Sequence, residues 1–156
     1  DSKQVESVIA EAVQPMGREE GENIYSIRKE VEDLMWAEGG IVRSGPGLEA
    51  TIASLDELSL RARRASVPAV SQYNLAWQEW LDVKSILTVA RLTCLSALAR
   101  EESRGSHYRS DYPESNDEEW LCNVLVQQGR EASPRIWCEE VEFTRVVPPP
   151  GSLRVD

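Results

Sequence analysis

From Asn74 to Ser103 the chain runs for about thirty residues without a glycine or a proline. Proline would remove a backbone donor and clash with the preceding turn, and glycine would loosen the backbone. An uninterrupted stretch of this length therefore reads as one continuous helix of ~45 Å. Its apolar residues Trp77, Trp80, Leu81, Val83, Ile86, Leu87, Ala90, Cys94, Ala97 and Leu98 occupy more than one face. A face that wide predicts the central member of a bundle, with shorter helices packed around it. The chain has 156 residues, one ordinary domain, enough to bury ~70% of its unfolded surface.

The shorter helices are read from apolar spacing. Val5, Val8, Ile9, Ala12 and Val13 repeat at helical intervals until Pro15 and Gly17 close the segment, and Arg18 to Glu22 reads as a solvated connection. Ile24, Ile27, Val31, Leu34 and Met35 form the stripe of a second helix, which Gly39-Gly40 should stop through a left-handed cap. Ser44 or Gly45 can cap a third, whose stripe is Leu48, Ile52, Leu55, Leu58 and Ala62 and whose end carries Arg61, Arg63 and Arg64, cations suited to the negative end of a helix dipole. After Ser103 the character changes. Arg104 to Glu119 is polar and turn-rich, residues 120–126 and 135–144 are strand candidates, and Pro148 to Gly151 begins a loose tail. The expected fold is mainly α: an antiparallel three-helix-type bundle around the long helix over residues 1–119, then a small β-hairpin and tail over 120–156 packed on the bundle.

Composition removes several functions. With 27 acidic against 17 basic residues the net charge is −10, a surface that repels phosphate backbones, so nucleic-acid binding is not expected. No apolar run reaches the ~18–20 residues that a bilayer span requires, so direct membrane insertion is not expected either. The chain opens at Asp1 without a basic-then-apolar leader, and is expected to be cut from something larger. Cys94, Cys122 and Cys138 are odd in number and widely spaced, which suits reduced structural thiols.

Catalytic chemistry has little to stand on. His107 is the single histidine, so neither a histidine-rich metal site nor a two-histidine relay can form. Gly39-Gly40 and Gly45-Pro46-Gly47 lack the preceding strand and spacing of a phosphate loop. Trp77 and Trp80, among leucines at helical spacing, read as core, and the pairs Glu101-Glu102 and Glu118-Glu119 as solvated surface. His107 reads either as a general base or as a residue that orients its loop. One stretch is unusually dense. Arg100 to Pro113 sets three arginines, a histidine and two tyrosines among carboxylates around Gly105. Gly105 permits a sharp exit from the helix, and arginine forks bind carboxylates or carbonyls bidentately.

That stretch carries a resemblance. E-S-R-G-S-H-Y-R-S-D-Y-P-E-S-N-D-E-E-W, residues 102–120, resembles the signature that follows the long C-terminal helix of succinate dehydrogenase and fumarate reductase flavoprotein subunits. Upstream, I-R-K-E-V-E-D-L-M-W-A-E-G-G-I-V-R and Y-N-L-A-W-Q-E-W-L-D-V-K-S-I-L-T-V-A-R are similar to preceding segments of the same family. The resemblance covers roughly residues 18–125 in consistent order. It implies a C-terminal helical domain of a much longer flavoenzyme that binds FAD in a Rossmann-like domain, interconverts succinate and fumarate, and serves electron transport.

On that resemblance the glycine-rich FAD fingerprint, the flavin-linking histidine and the substrate-binding His and Arg residues lie in regions outside this sequence. No catalytic, cofactor-binding or metal-ligating position is therefore assigned, and the chain alone is expected to be inactive and free of cofactor. Arg104, Gly105, His107, Arg109 and Asp111 are assigned instead to an interdomain interface with the flavin-binding domain. The implied partners are that domain and an iron–sulfur subunit. The implied location is cytoplasmic, with membrane association of the parent through other subunits. L-aspartate oxidase shares the helical domain and a similar motif, but its chains tend to stop soon after Asp-Tyr-Pro, whereas here Val-Glu-Phe-Thr-Arg-Val follows at 141–146. Adenylylsulfate reductase is a more distant resemblance. A stand-alone helical adaptor is the alternative of a different class.

Overall fold

A computed structural model of the chain describes residues 2–70, 72–129 and 133–145. Helix α1 (Ser2–Val13) passes through a short 3-10 turn (Gln14–Gly17) and a connection to α2 (Ile24–Ala37). A two-residue strand β1 (Val42–Arg43) precedes α3 (Gly45–Ala62), and α4 (Leu75–Ala99) is the long helix. Strand β2 (Tyr108–Arg109), the single turn α5 (Asp117–Trp120) and the strands β3 (Cys122–Gln127) and β4 (Arg135–Glu140) complete the order. The fold is mainly α, with α2, α3 and α4 as a three-helix bundle and β3–β4 as a small antiparallel hairpin.

Each bundle helix starts on a side-chain cap that relieves an orphan backbone N–H. Asn23 Oδ1 accepts from the amides of Tyr25 and Ser26 at 2.9 and 3.3 Å, Ser44 Oγ from Gly47 at 3.2 Å, and Asn74 Oδ1 from Trp77 at 3.0 Å. The core joins Ile24, Ile27 and Val31 of α2 to Leu48, Leu55 and Leu58 of α3. On α4 the fully buried positions are Trp80, Val83, Leu87, Ala90, Cys94 and Ala97, an alternating three-and-four spacing like that of a coiled-coil seam. Trp77, Leu81, Ile86 and Leu98 flank it, partly buried. Trp80 is core as expected, and its indole donates to Ala62 O at 2.9 Å, tying α4 to the end of α3.

Several expectations are corrected. Helix α4 ends at Ala99, before Ser103, because Arg100 already turns extended at φ −87°, ψ 112°. Gly39-Gly40 adopts no left-handed cap. A Cβ on Gly39 would crowd the flexible end of the Met35 side chain, 2.9 Å from its Sδ, and lie 3.1 Å from Met35 O. The Arg18 to Glu22 connection keeps Glu19, Glu20 and Gly21 exposed but is docked at both ends. Arg18 Nη1 donates to Ala65 O at 2.8 Å, and the Glu22 amide donates to Arg64 O at 3.1 Å. Arg61 pairs with Glu22 and Glu30, a more specific role than complementing a dipole. Trp120 belongs to α5, so the first hairpin strand begins at Cys122, and the second ends at Glu140. The tail from Pro148 lies outside the described residues.

Helix α1 forms but buries none of its residues. Its stripe stays open, with Val5, Val8 and Ile9 at 58%, 60% and 57% exposure. Two polar contacts tether it to α4: the Trp77 indole donates to Ala12 O at 2.7 Å, and Lys84 pairs with Glu11 at 2.5 Å.

Candidate functional site

The residues expected to form an interface gather where α4 ends. After Arg100 the chain turns at Gly105, which sits at φ +56°, the left-handed region where a side chain is strained. Arg104 and His107 exchange backbone hydrogen bonds of 2.8 and 3.0 Å across that turn. The returning strand β2 pairs in parallel with β1, Val42 opposite Tyr108 and Arg43 opposite Arg109. Ile41, Val42 and Tyr108 stay outside, exposed.

Arg109 is buried, only 2% exposed. Its Nε and Nη2 donate to the two oxygens of Asp111 at 2.8 Å each. Its Nη1 donates to the carbonyls of Ala97, Leu98 and Arg100 at 3.0, 3.0 and 2.9 Å. These are the orphan acceptors at the end of α4, and a cation there also suits the helix dipole. Asp111 in turn accepts the amide of Gly45, the first residue of α3, at 2.9 Å. One ion pair thus clamps the end of α4 to the start of α3. The Arg109 fork holds the Asp111 carboxyl well below the ordinary carboxylate range, against the opposing effect of burial.

A second knot centres on Glu102, whose side chain is fully buried. This corrects the reading of Glu101-Glu102 as a solvated pair: Glu101 is exposed, Glu102 is not. Glu102 accepts from Arg100, from Arg104 Nε and Nη2 at 2.8 and 2.9 Å, and from the Asn116 amide at 2.8 Å. Burial alone would raise its carboxyl, yet these donors hold it below its ordinary value. Arg104 also reaches Asp117 at 2.6 Å. Arg100 donates to the carbonyls of Trp120 and Cys122 and so fastens the hairpin to the bundle. Ser103 Oγ accepts the Arg109 amide at 2.9 Å and donates to Tyr112 O at 2.7 Å.

His107 lies between Arg43 and the end of α4. Its Nδ1 is 2.7 Å from Arg43 Nη1. A guanidinium can only donate, so Nδ1 accepts and the imidazole carries its proton on Nε2, 3.4 Å from Arg100 O. Burial first, then the neighbouring Arg43, push its pKa below the ordinary value. The imidazole is neutral in this arrangement, with Nδ1 on Arg43 and Nε2 toward Arg100 O.

The structure therefore brings Arg104, Gly105, His107, Arg109 and Asp111 into one cluster, with their polar groups turned largely inward. It adds Arg43 and Asp117, which the sequence reading did not single out, and Glu102, which it placed at the surface. Arg43 stood in the quoted segment ending G-I-V-R, but nothing local signals its pairing with a residue 64 positions on. Among the described residues no group of three or more His, Cys, Asp or Glu could hold a metal. All three cysteines are free thiols, and Cys94 Sγ packs 3.7 Å from Met35 Sδ.

Comparison with known proteins gives this arrangement its context. A family described as "Fumarate reductase flavoprotein C-term" matches residues 28–153. A subunit of the CoM/CoB fumarate reductase of Methanothermobacter marburgensis is 38% identical over 105 residues, 67% of this chain and 19% of that protein. The fumarate reductase flavoprotein subunit of Mycobacterium tuberculosis is 33% identical over 132 residues, 84% of this chain and 22% of that protein. Among solved structures, one titled "Quinol-Fumarate Reductase with Menaquinol Molecules" superposes with a TM-score of 0.83 at 28% identity, covering 94% of this chain and 26% of the other. The chain spans about a fifth of the length of the curated relatives it matches. It belongs to the C-terminal family of the fumarate reductase and succinate dehydrogenase flavoprotein subunits.

Proposed function

We propose that this chain serves as the C-terminal helical domain of an FAD-dependent flavoprotein that interconverts succinate and fumarate, and that its 104–111 loop docks on the flavin-binding part of the parent. The observation that carries this reading is where the donors of the loop go. Arg104 and Arg109 are committed to Glu102, Asp111, Asp117 and backbone carbonyls, and His107 is held neutral between Arg43 and α4. A loop stiffened in this way, paired with β1, presents a fixed edge of Ile41, Val42 and Tyr108.

The glycine-bearing start of α3 does not fit the pyrophosphate of FAD. It is already filled: Gly45 N donates to Asp111, Gly47 N to Ser44, and Pro46 has no N–H. On this reading FAD is held by the rest of the parent, and the parent rather than this domain is what joins an iron–sulfur subunit, together with membrane-bound partners. No helix of the described residues is long and apolar enough to cross a membrane.

The test is substitution in the full-length flavoprotein. Arg104→Ala and His107→Ala should lower thermal stability or flavin retention while turnover per bound flavin stays nearly unchanged. If His107→Ala leaves folding and flavin content intact yet cuts turnover by roughly 10²–10⁴-fold, the loss expected of a general acid or base, the docking assignment fails.

A further inference from the structure

Three of the four arginines at this end of the bundle have carboxylate partners: Arg100 and Arg104 pair with Glu102, Arg104 also with Asp117, and Arg109 with Asp111. Arg43 has none among the described residues. Its Nη1 rests on His107 Nδ1 and its Nε on Gly39 O at 3.3 Å. The imidazole it touches is neutral, so among the described residues the positive charge is uncompensated, within a chain whose net charge is −10.

Beside Arg43 and His107 runs an open groove of about 510 Å³, walled by Leu92 and Ala97 of α4 and by Val124 and Val126 of β3. We propose that this groove receives an extended polypeptide segment of the flavin-binding part of the parent, its aliphatic side chains on the valine and leucine walls and one carboxylate on Arg43. The inference rests on the docking reading above and names a second element of the same interface.

The chemistry selects this occupant. A partly buried guanidinium without a counter-ion gains most from a carboxylate that forks onto it. Beyond Arg100, Thr93 and Ser96, the walls are the aliphatic Val89, Leu92, Ala97, Val124 and Val126, which reward aliphatic burial. A free dicarboxylate would need a second cation, and Arg100, the other arginine lining the groove, is already spent on Glu102 and two carbonyls. One charge at the end of an apolar trough suits a single acidic residue flanked by aliphatic ones.

The experiment is cysteine labelling in a background with Cys122→Ser and Cys138→Ser. Thr93→Cys probes the groove, where Thr93 lies exposed on the wall; Tyr108→Cys probes the loop edge. Both are labelled with a maleimide in the 156-residue chain and in the full-length flavoprotein. The proposal expects Thr93→Cys to react at least ~10-fold more slowly in the full-length protein, with Arg43→Gln restoring most of the rate and Arg43→Lys less of it. Fast labelling at 93 with protection at 108 would overturn the groove assignment and leave docking standing. Fast labelling at both positions would overturn the docking reading as well. Protection that survives Arg43→Gln would remove the carboxylate. Slow labelling already in the 156-residue chain, alone or on adding millimolar succinate, would give the groove to another occupant and overturn the proposal.

Discussion

At the Arg109–Asp111 clamp one ion pair holds two helices, so a single substitution there is costly. Asp111→Ala would leave a guanidinium that is 2% exposed without its counter-ion. Breaking a buried pair from one side costs about 3–5 kcal/mol. The Asp111 side chain is 33% exposed, and Arg109 keeps its three carbonyl acceptors. The loss should therefore sit at or below the lower end of that range, and the urea midpoint of the chain should fall. Arg109→Lys keeps the charge but loses the fork that grips both Asp111 oxygens and three helix carbonyls at once, a loss of about 1.5–3 kcal/mol. The sign of the acid response follows from the same groups. Asp111 and Glu102 both have carboxyls held below their ordinary values in the folded chain. Their contribution is complete above the unfolded carboxylate range and is lost as the pH falls through and below about 4. Urea midpoints measured from pH 7 to pH 3 should stay level and then drop, with a shallower drop in Glu102→Gln and Asp111→Asn. At this scale the sequence was only half legible. The density of charge from Arg100 to Asp111 was plain, but adjacency cannot say which of Glu101 and Glu102 turns inward.

Elements were legible wherever apolar spacing governs burial. The stripes of α2 and α3 and the glycine-free run of α4 foretold the bundle, because those side chains do bury there. Helix α1 shows the same periodicity and forms, yet Val5, Val8 and Ile9 stay exposed: amphipathic spacing predicts a helix, not what covers its face. The 18–22 connection keeps Glu19, Glu20 and Gly21 exposed, but its ends dock on residues 61–66 through Arg18, Glu22 and their backbone, contacts that leave no composition signal. Gly21 records them. A Cβ there would strike Arg64 O and lie 2.7 Å from Ser66 N, both backbone atoms that cannot swing aside. Gly21→Ala should therefore destabilise by about 1–3 kcal/mol through overpacking. Gly17→Ala, where a Cβ meets nothing within 4 Å, should be close to neutral. Equal melting temperatures for the two variants would show that the connection is not docked as described.

At the scale of the whole molecule, the bundle, the loop and the hairpin meet at one end of α4, through Arg109, Glu102 and Arg100 respectively. The dense motif was legible as a family signature, and an inward fold of its arginines onto Glu102 and Asp111 was one of two arrangements open to it. The sequence could not choose, since the same residue types serve active sites, interfaces and buried clamps alike. This concentration has a consequence for flavin binding by the 156-residue chain itself. FAD needs backbone donors for its pyrophosphate, most readily at a glycine-bearing helix start. The start of α3 has the glycines, but its free N–H groups face Asp111 and Ser44, and the Asp111 carboxylate would repel a phosphate placed there. The purified chain should therefore show a helix-dominated far-ultraviolet circular dichroism spectrum and no absorbance at the flavin bands. After incubation with excess FAD and gel filtration, the protein peak should stay colourless. Asp111→Asn removes the repelling charge but keeps an oxygen that can accept from Gly45, so it should remain colourless too. Stoichiometric flavin on the unsubstituted chain would mean that a cofactor site lies within these residues, and the division of labour with the rest of the parent would have to be redrawn.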